Sequence, residues 1–123
     1  MTIIAWSCMV EVALAAASAL GQEGLSTEVI NLHGLRPVDW ATCQAFVNNT
    51  HRCLIVDEAS RFGGPAAEIT ESLHERCFFS LEAPIMRAAA LDLSIPFNGK
   101  LEDACIPSEH TVIDAVYGLM GRS

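Results

Sequence analysis

Three groups of residues have the types and spacing to do chemistry, and all lie within a stretch running from His51 to Ile69. Asp57 and Glu58 are adjacent carboxylates, a pair that elsewhere binds a cation or divides the roles of acid and base. Adjacent strand residues point to opposite faces, however, so these two cannot converge on one atom without a turn between them. No further ligand set accompanies them, and capping or the docking of a basic group is the better expectation. His51 and Cys53 stand two apart and would share a strand face, the beginnings of an activated thiol. They fall near the start of their strand, away from the end where sites gather, which favours a buried structural cysteine. Gly63 and Gly64 open a helix and so offer a cradle for an anion. The pattern is not Gly-x-Gly-x-x-Gly and has no later ribose-binding acid.

The elements that position these residues follow from the same stretch. Cys53-Leu54-Ile55-Val56 is a continuous apolar run, as expected of a parallel strand covered on both faces, which Asp57 and Glu58 would end. Gly63 and Gly64 turn the backbone, Pro65 suits a first helical turn, and Ala66, Ala67 and Ile69 begin a helix expected to reach about Glu75. In open α/β sheets, sites lie beyond the carboxyl ends of the strands, which makes this corner the first place to look.

The rest of the chain repeats the rhythm. Residues Thr2 to Ser7 form a short β-prone run that starts without a lead-in, as in a domain cut from a longer protein. Cys8 to Gln22 is an alanine-rich helix with Ser7 as its expected N-cap. Ser26 to Leu32 supplies a second strand, and Asp39 starts a helix over Trp40 to Asn48 that the tandem Asn48 and Asn49 should break. Arg76 to Ala83 is a connection, Pro84 to Ala89 a fourth strand, and Leu91 to Ile106 a loop whose ~15 residues are long for a structureless link. Ser108 and Glu109 begin a last helix with an apolar stripe of Val112, Ile113, Val116, Tyr117 and Leu119. Alternating strands and helices predict a single α/β domain over residues 1–123.

Composition narrows the partners. A formal net charge of -8 disfavours nucleic acid and anionic membranes, which require a basic footprint. A hydrophobic fraction of 51% and a mean hydropathy of +0.34 point to apolar surface covered by a partner. Ala13 to Leu20 resembles part of a secretory signal, but no Lys or Arg precedes Arg36 and Glu11 interrupts the run. Cys8, Cys43, Cys53, Cys77 and Cys105 are odd in number and lack Cys-x-x-Cys spacing, so they are expected to be buried thiols in a reducing, intracellular compartment. His33, His74 and His110 are scattered and are expected to be structural or solvent-facing.

The order of Ile-Ile-Ala-Trp-Ser (3 to 7), Glu-Val-Ile-Asn-Leu (28 to 32), Leu-Arg-Pro-Val-Asp-Trp (35 to 40), Asp-Glu-Ala (57 to 59), Gly-Gly-Pro-Ala-Ala-Glu-Ile (63 to 69), Leu-Glu-Ala-Pro (81 to 84), Ile-Pro-Phe (95 to 97) and Leu-Glu-Asp-Ala-Cys-Ile-Pro-Ser (101 to 108) resembles the transketolase C-terminal domain. It is most similar to that domain in the β subunit of the thiamine-diphosphate-dependent decarboxylase of 2-oxo acid dehydrogenase complexes, of the pyruvate or branched-chain type. The resemblance implies a three-layer α/β/α sandwich with a mixed, mostly parallel five-stranded sheet whose one edge strand is antiparallel. It implies an assembly role without catalysis, in which the domain packs against its own copy and helps dock the acyltransferase subunit-binding domain. The catalytic N-terminal domain is absent from such a piece. Thiamine diphosphate and magnesium belong to the parent complex, between the α subunit and that N-terminal domain, and none is expected in this chain. The location implied is bacterial cytoplasm, mitochondrial matrix or plastid.

Site residues carry over singly. Glu82 stands where the family's Leu-Asp/Glu-Ala-Pro acid meets arginines of the subunit-binding domain, with Asp57 and Glu58 as further partner-binding candidates. Many relatives have His-Glu where this chain has Asp57-Glu58, so no histidine role transfers. The usual Gly-x-Asp-x-Pro loop is Ala90-Leu91-Asp92-Leu93-Ser94, keeping Asp92 without the glycine. Two alternatives stay open: a regulatory domain binding a small ligand at the Gly63 corner, and a small stand-alone enzyme using Asp57, Glu58 or Cys53.

Overall fold

The computed structural model describes residues 1–33, 38–60, 64–90 and 107–121. Along the chain these form β1 (Thr2–Ala5), α1 (Met9–Gln22), β2 (Glu28–Asn31), α2 (Trp40–Thr50), β3 (Cys53–Ser60), α3 (Pro65–Cys77), a 3-10 turn (Phe78–Ser80), β4 (Met86–Ala90) and α4 (Glu109–Leu119). Among the described residues the sheet has four strands in the order β2-β1-β3-β4, and every pairing is parallel. The expected fifth, antiparallel edge strand is not among them.

Side-chain alternation splits the core across the two faces. Ile4, Cys53 and Ile55 face α2 and α3, meeting Cys43, Val47, Ile69 and Leu73. Ile3, Leu54 and Val56 face α1 and α4, meeting Met9, Ala13, Val112 and Val116. Ala13 and Ala16 are fully buried, so the alanines of α1 do bring that helix close to the sheet. Chain direction from β1 to β2, then back across β1 to β3, puts the switch in strand order between β1 and β3.

Caps explain most helix limits. Asp39 accepts from the Thr42 amide at 3.1 Å and from Thr42 Oγ1 at 2.7 Å, and these two bonds hold its carboxyl below the usual range. This contribution is present above the unfolded carboxyl range and disappears as pH falls through the depressed folded value. An Asp39→Ala variant should therefore be less stable than wild type at pH 6, with the difference shrinking toward pH 3, as urea titrations at the two pH values will show. Pro65 begins α3 behind Gly64, as expected. Ser108 caps α4 by accepting from the Thr111 amide. The N-cap of α1 is Cys8 rather than Ser7, and its side chain makes no cap hydrogen bond. Ser7 instead takes a left-handed conformation, with φ 57.

Asn48 and Asn49 do not break α2, which runs on to Thr50. The helix stops at His51, left-handed with φ 67, whose amide bonds Val47 O. Its ring is fixed by Nδ1, 2.7 Å from Ser80 O, so Nδ1 carries the hydrogen and donates. Replacing His51 by alanine keeps the strained φ and removes this bond, for an expected loss of about 1 kcal/mol in urea unfolding. His51→Gly relieves the φ and should lose less.

Candidate functional site

β3 carries Asp57 and Glu58 inside the strand, not at its end. The strand continues to Ser60, and its register against β4 shifts between Val56 and Ser60. Such an irregularity is a common feature beside strand ends. Asp57 is buried at 1% exposure. Glu58 is half-buried, and its Oε2 accepts a hydrogen bond from Cys8 Sγ at 2.8 Å.

Cys8 corrects the expectation of uniformly buried thiols, because it is exposed at the start of α1. The Glu58 hydrogen bond, then burial, raise its pKa, which keeps the sulfur a thiol near neutrality. Thiolate is the nucleophile, so the corner suppresses reactivity. Glu58→Gln removes the neighbouring charge and should lower the pKa, speeding iodoacetamide labelling of Cys8 at pH 8 severalfold. Cys43, Cys53 and Cys77 are buried as expected, and Cys105 lies outside the described residues. Burial pushes Cys43 up to about 11 and raises Cys53 further. His51, with its ring bonded to Ser80, does not activate Cys53.

Glu82 sits at the other end of the sheet. Its Oε2 lies 3.0 Å from Arg52 Nη1, its amide bonds His51 O at 2.9 Å, and its side chain is 53% exposed. From Arg52 to Glu58 is roughly 20 Å along an extended strand at ~3.3 Å per residue. The structure therefore separates Glu82 from Asp57 and Glu58 and does not gather them into one partner site.

Beside Glu82, the 3-10 turn exposes what sequence reasoning treated as a plain connection. Phe78 and Phe79 are 66% and 99% exposed and meet edge to face, ring centroids 5.2 Å apart. A concavity of about 370 Å³ is lined by His74, Phe78, Leu81, Glu82, Ala83 and Pro84. His74 Nε2 accepts from the Ile85 amide at 3.4 Å, so the lip between α3 and β4 is held from both sides. The only signal for this patch in the sequence is two adjacent aromatics before a Leu-Glu-Ala-Pro turn.

Among the described residues, no group of three or more His, Cys, Asp or Glu is arranged to hold a metal ion. The Gly64-Pro65 start of α3 also puts a residue without an amide hydrogen at its first position. Gly63 and Asp92 lie outside the described residues. No helix among the described residues is long and apolar enough to cross a membrane.

A doubly wound α/β domain with a guarded switch corner and an acid-and-aromatic lip at the opposite end is the class this geometry defines. Residues 1–112 match the family described as transketolase, C-terminal domain, and the chain belongs to that family. It is 41% identical over 115 residues to the mitochondrial pyruvate dehydrogenase E1 component subunit beta-1 of Arabidopsis thaliana, covering 94% of this chain and 32% of that protein. The Porphyra purpurea subunit beta is 35% identical over 123 residues, covering 100% and 37%. The Staphylococcus epidermidis subunit beta is 40% identical over 114 residues, covering 93% and 35%. The chain thus spans about a third of the length of the curated relatives it matches. Among solved structures, a split gene transketolase in an inactive beta4 tetramer aligns with a TM-score of 0.78 at 23% identity, covering 98% of this chain and 38% of that one, a likeness of fold.

Proposed function

We propose that this chain acts as the non-catalytic C-terminal assembly domain of a thiamine-diphosphate-dependent 2-oxo acid dehydrogenase β subunit. It would pair with its own copy, join the α subunit, and help dock the acyltransferase core. The observation that carries the reading is the 35% to 41% identity to pyruvate dehydrogenase β subunits along nearly the whole chain, over about a third of theirs. Exposed acid at Glu82 supports docking of a basic partner, as does the formal net charge of -8. Residues 1–123 are taken as one domain, with thiamine diphosphate and magnesium held by other parts of the parent complex. The proposed location is the mitochondrial matrix or plastid in a eukaryote and the cytoplasm in a bacterium, supported by mitochondrial and bacterial proteins among the relatives.

Calorimetric titration with thiamine diphosphate and magnesium tests the cofactor-free assignment. No binding heat is expected from this chain. Stoichiometric, tight binding would contradict the reading and favour a self-sufficient enzyme.

A further inference from the structure

The α2/α3 side of the core holds three thiols that the proposed function leaves unused. Cys43, Cys53 and Cys77 are buried in one packed cluster with Val47, Ile69 and Leu73. Two of them lie where the helices are tied together. Gln44, next to Cys43 on α2, donates from Nε2 to Arg76 O at 3.4 Å. Arg76, next to Cys77 on α3, places its guanidinium 4.9 Å from the centre of the Trp40 ring, one helical turn before Gln44. These contacts hold α2 against the end of α3 at the level of Cys43 and Cys77, both turned into the core. Cys77 is the last residue of α3, where the helix gives way to the 3-10 turn. A helix end opens locally at lower cost than a paired strand, so Cys77 is the thiol that solvent reaches first, while Cys53 stays fixed in β3 opposite Thr2 of β1. Electrostatics favours the same order: burial raises all three thiols, Cys43 to about 11, and the Arg76 charge opposes the rise at Cys77.

We infer that Cys43 and Cys77 are a redox-responsive dithiol, which a small disulfide oxidant such as oxidised glutathione converts to a disulfide that locks α2 to the end of α3. The inference is independent of the docking reading. Cys77, as thiolate, attacks one sulfur of the oxidant, and the first glutathione leaves with the proton that Cys77 gave up. Cys43 then attacks the Cys77 sulfur of the mixed disulfide, and the second glutathione leaves with the Cys43 proton. Two protein thiols are oxidised and one glutathione disulfide is reduced to two thiols. Cys8 is bonded to Glu58 and is not in the cluster, so it takes no part.

The test incubates the reduced chain with oxidised glutathione under native conditions, alkylates the remaining thiols and maps disulfides by peptide mass spectrometry. A peptide pair joined through Cys43 and Cys77 is expected within minutes to hours. The melting temperature should rise by several degrees and return to its starting value with dithiothreitol. Cys43→Ala and Cys77→Ala should each abolish that rise, and Cys53→Ala should retain it. Mapping on the unsubstituted chain decides the matter alone if a variant fails to fold. The inference is overturned if Cys43 and Cys77 both remain alkylatable, if the bond joins Cys53, Cys8 or Cys105 instead, or if the Cys43 to Cys77 bond forms only in urea.

Discussion

Ile55→Ala should lower the unfolding free energy by about 2–5 kcal/mol, the range for truncating a large aliphatic side chain in a close-packed core. Ile55 is fully buried in β3, which pairs with β1 on one side and β4 on the other, and its side chain meets the α2/α3 layer. Collapse around the cavity is limited because Ile4, Leu73 and Cys53 pack against backbone already fixed by the sheet. With a typical total stability of ~5–15 kcal/mol, such a loss is a large share of the whole. Ile55→Val removes one methyl group and should lose only about 0.5–1.5 kcal/mol. Leu14→Ala, at a half-exposed position on α1, is the control and should stay within about 0.5 kcal/mol. Urea unfolding of the three variants gives the order directly, and an Ile55→Ala loss below that of Leu14→Ala would contradict the two-faced core.

Glu82→Gln should weaken acyltransferase docking at least tenfold, equivalent to about 1.4 kcal/mol, if a partner covers the carboxylate. In the free chain the acid already faces Arg52 at 3.0 Å, but the pair is open to water and contributes little to stability. Its effect on folding is therefore expected to be small, while its effect on binding is large. Arg52→Met supplies the opposite sign: it removes the internal competitor for the carboxylate, so docking should hold or tighten. Local disruption of the lip would weaken docking in both variants and so separates charge from structure. Added salt should slow association of wild type and leave Glu82→Gln less affected. Unchanged binding of Glu82→Gln in both buffers would make the acid ordinary solvated surface.

The strand and helix rhythm was legible because its signals are local. Cys53 to Val56 reads as a covered strand from hydrophobicity alone, and Asp39 and Pro65 mark helix starts through chemistry confined to a few neighbouring residues. Features that depend on distant partners were not legible. Asn48 and Asn49 stay helical because the stop lies further on, in the left-handed His51 whose ring is anchored on Ser80. Asp57 and Glu58 lie within the strand, which runs on to Ser60 through a register shift against β4. Cys8 meets Glu58 across 50 residues of sequence, a contact that only the parallel pairing of β1 with β3 creates. Glu82 is singled out as a partner-binding candidate by family resemblance alone, whereas the exposure of Phe78 and Phe79 needed the structure, since adjacent aromatics usually signal burial.

Sedimentation of the purified chain, alone and with an acyltransferase subunit-binding domain, measures the assembly role most directly. The account predicts that the chain self-associates as its concentration rises and that a heavier complex forms when the basic domain is added. A chain that stays monomeric at high concentration and sediments independently of the added domain would contradict it.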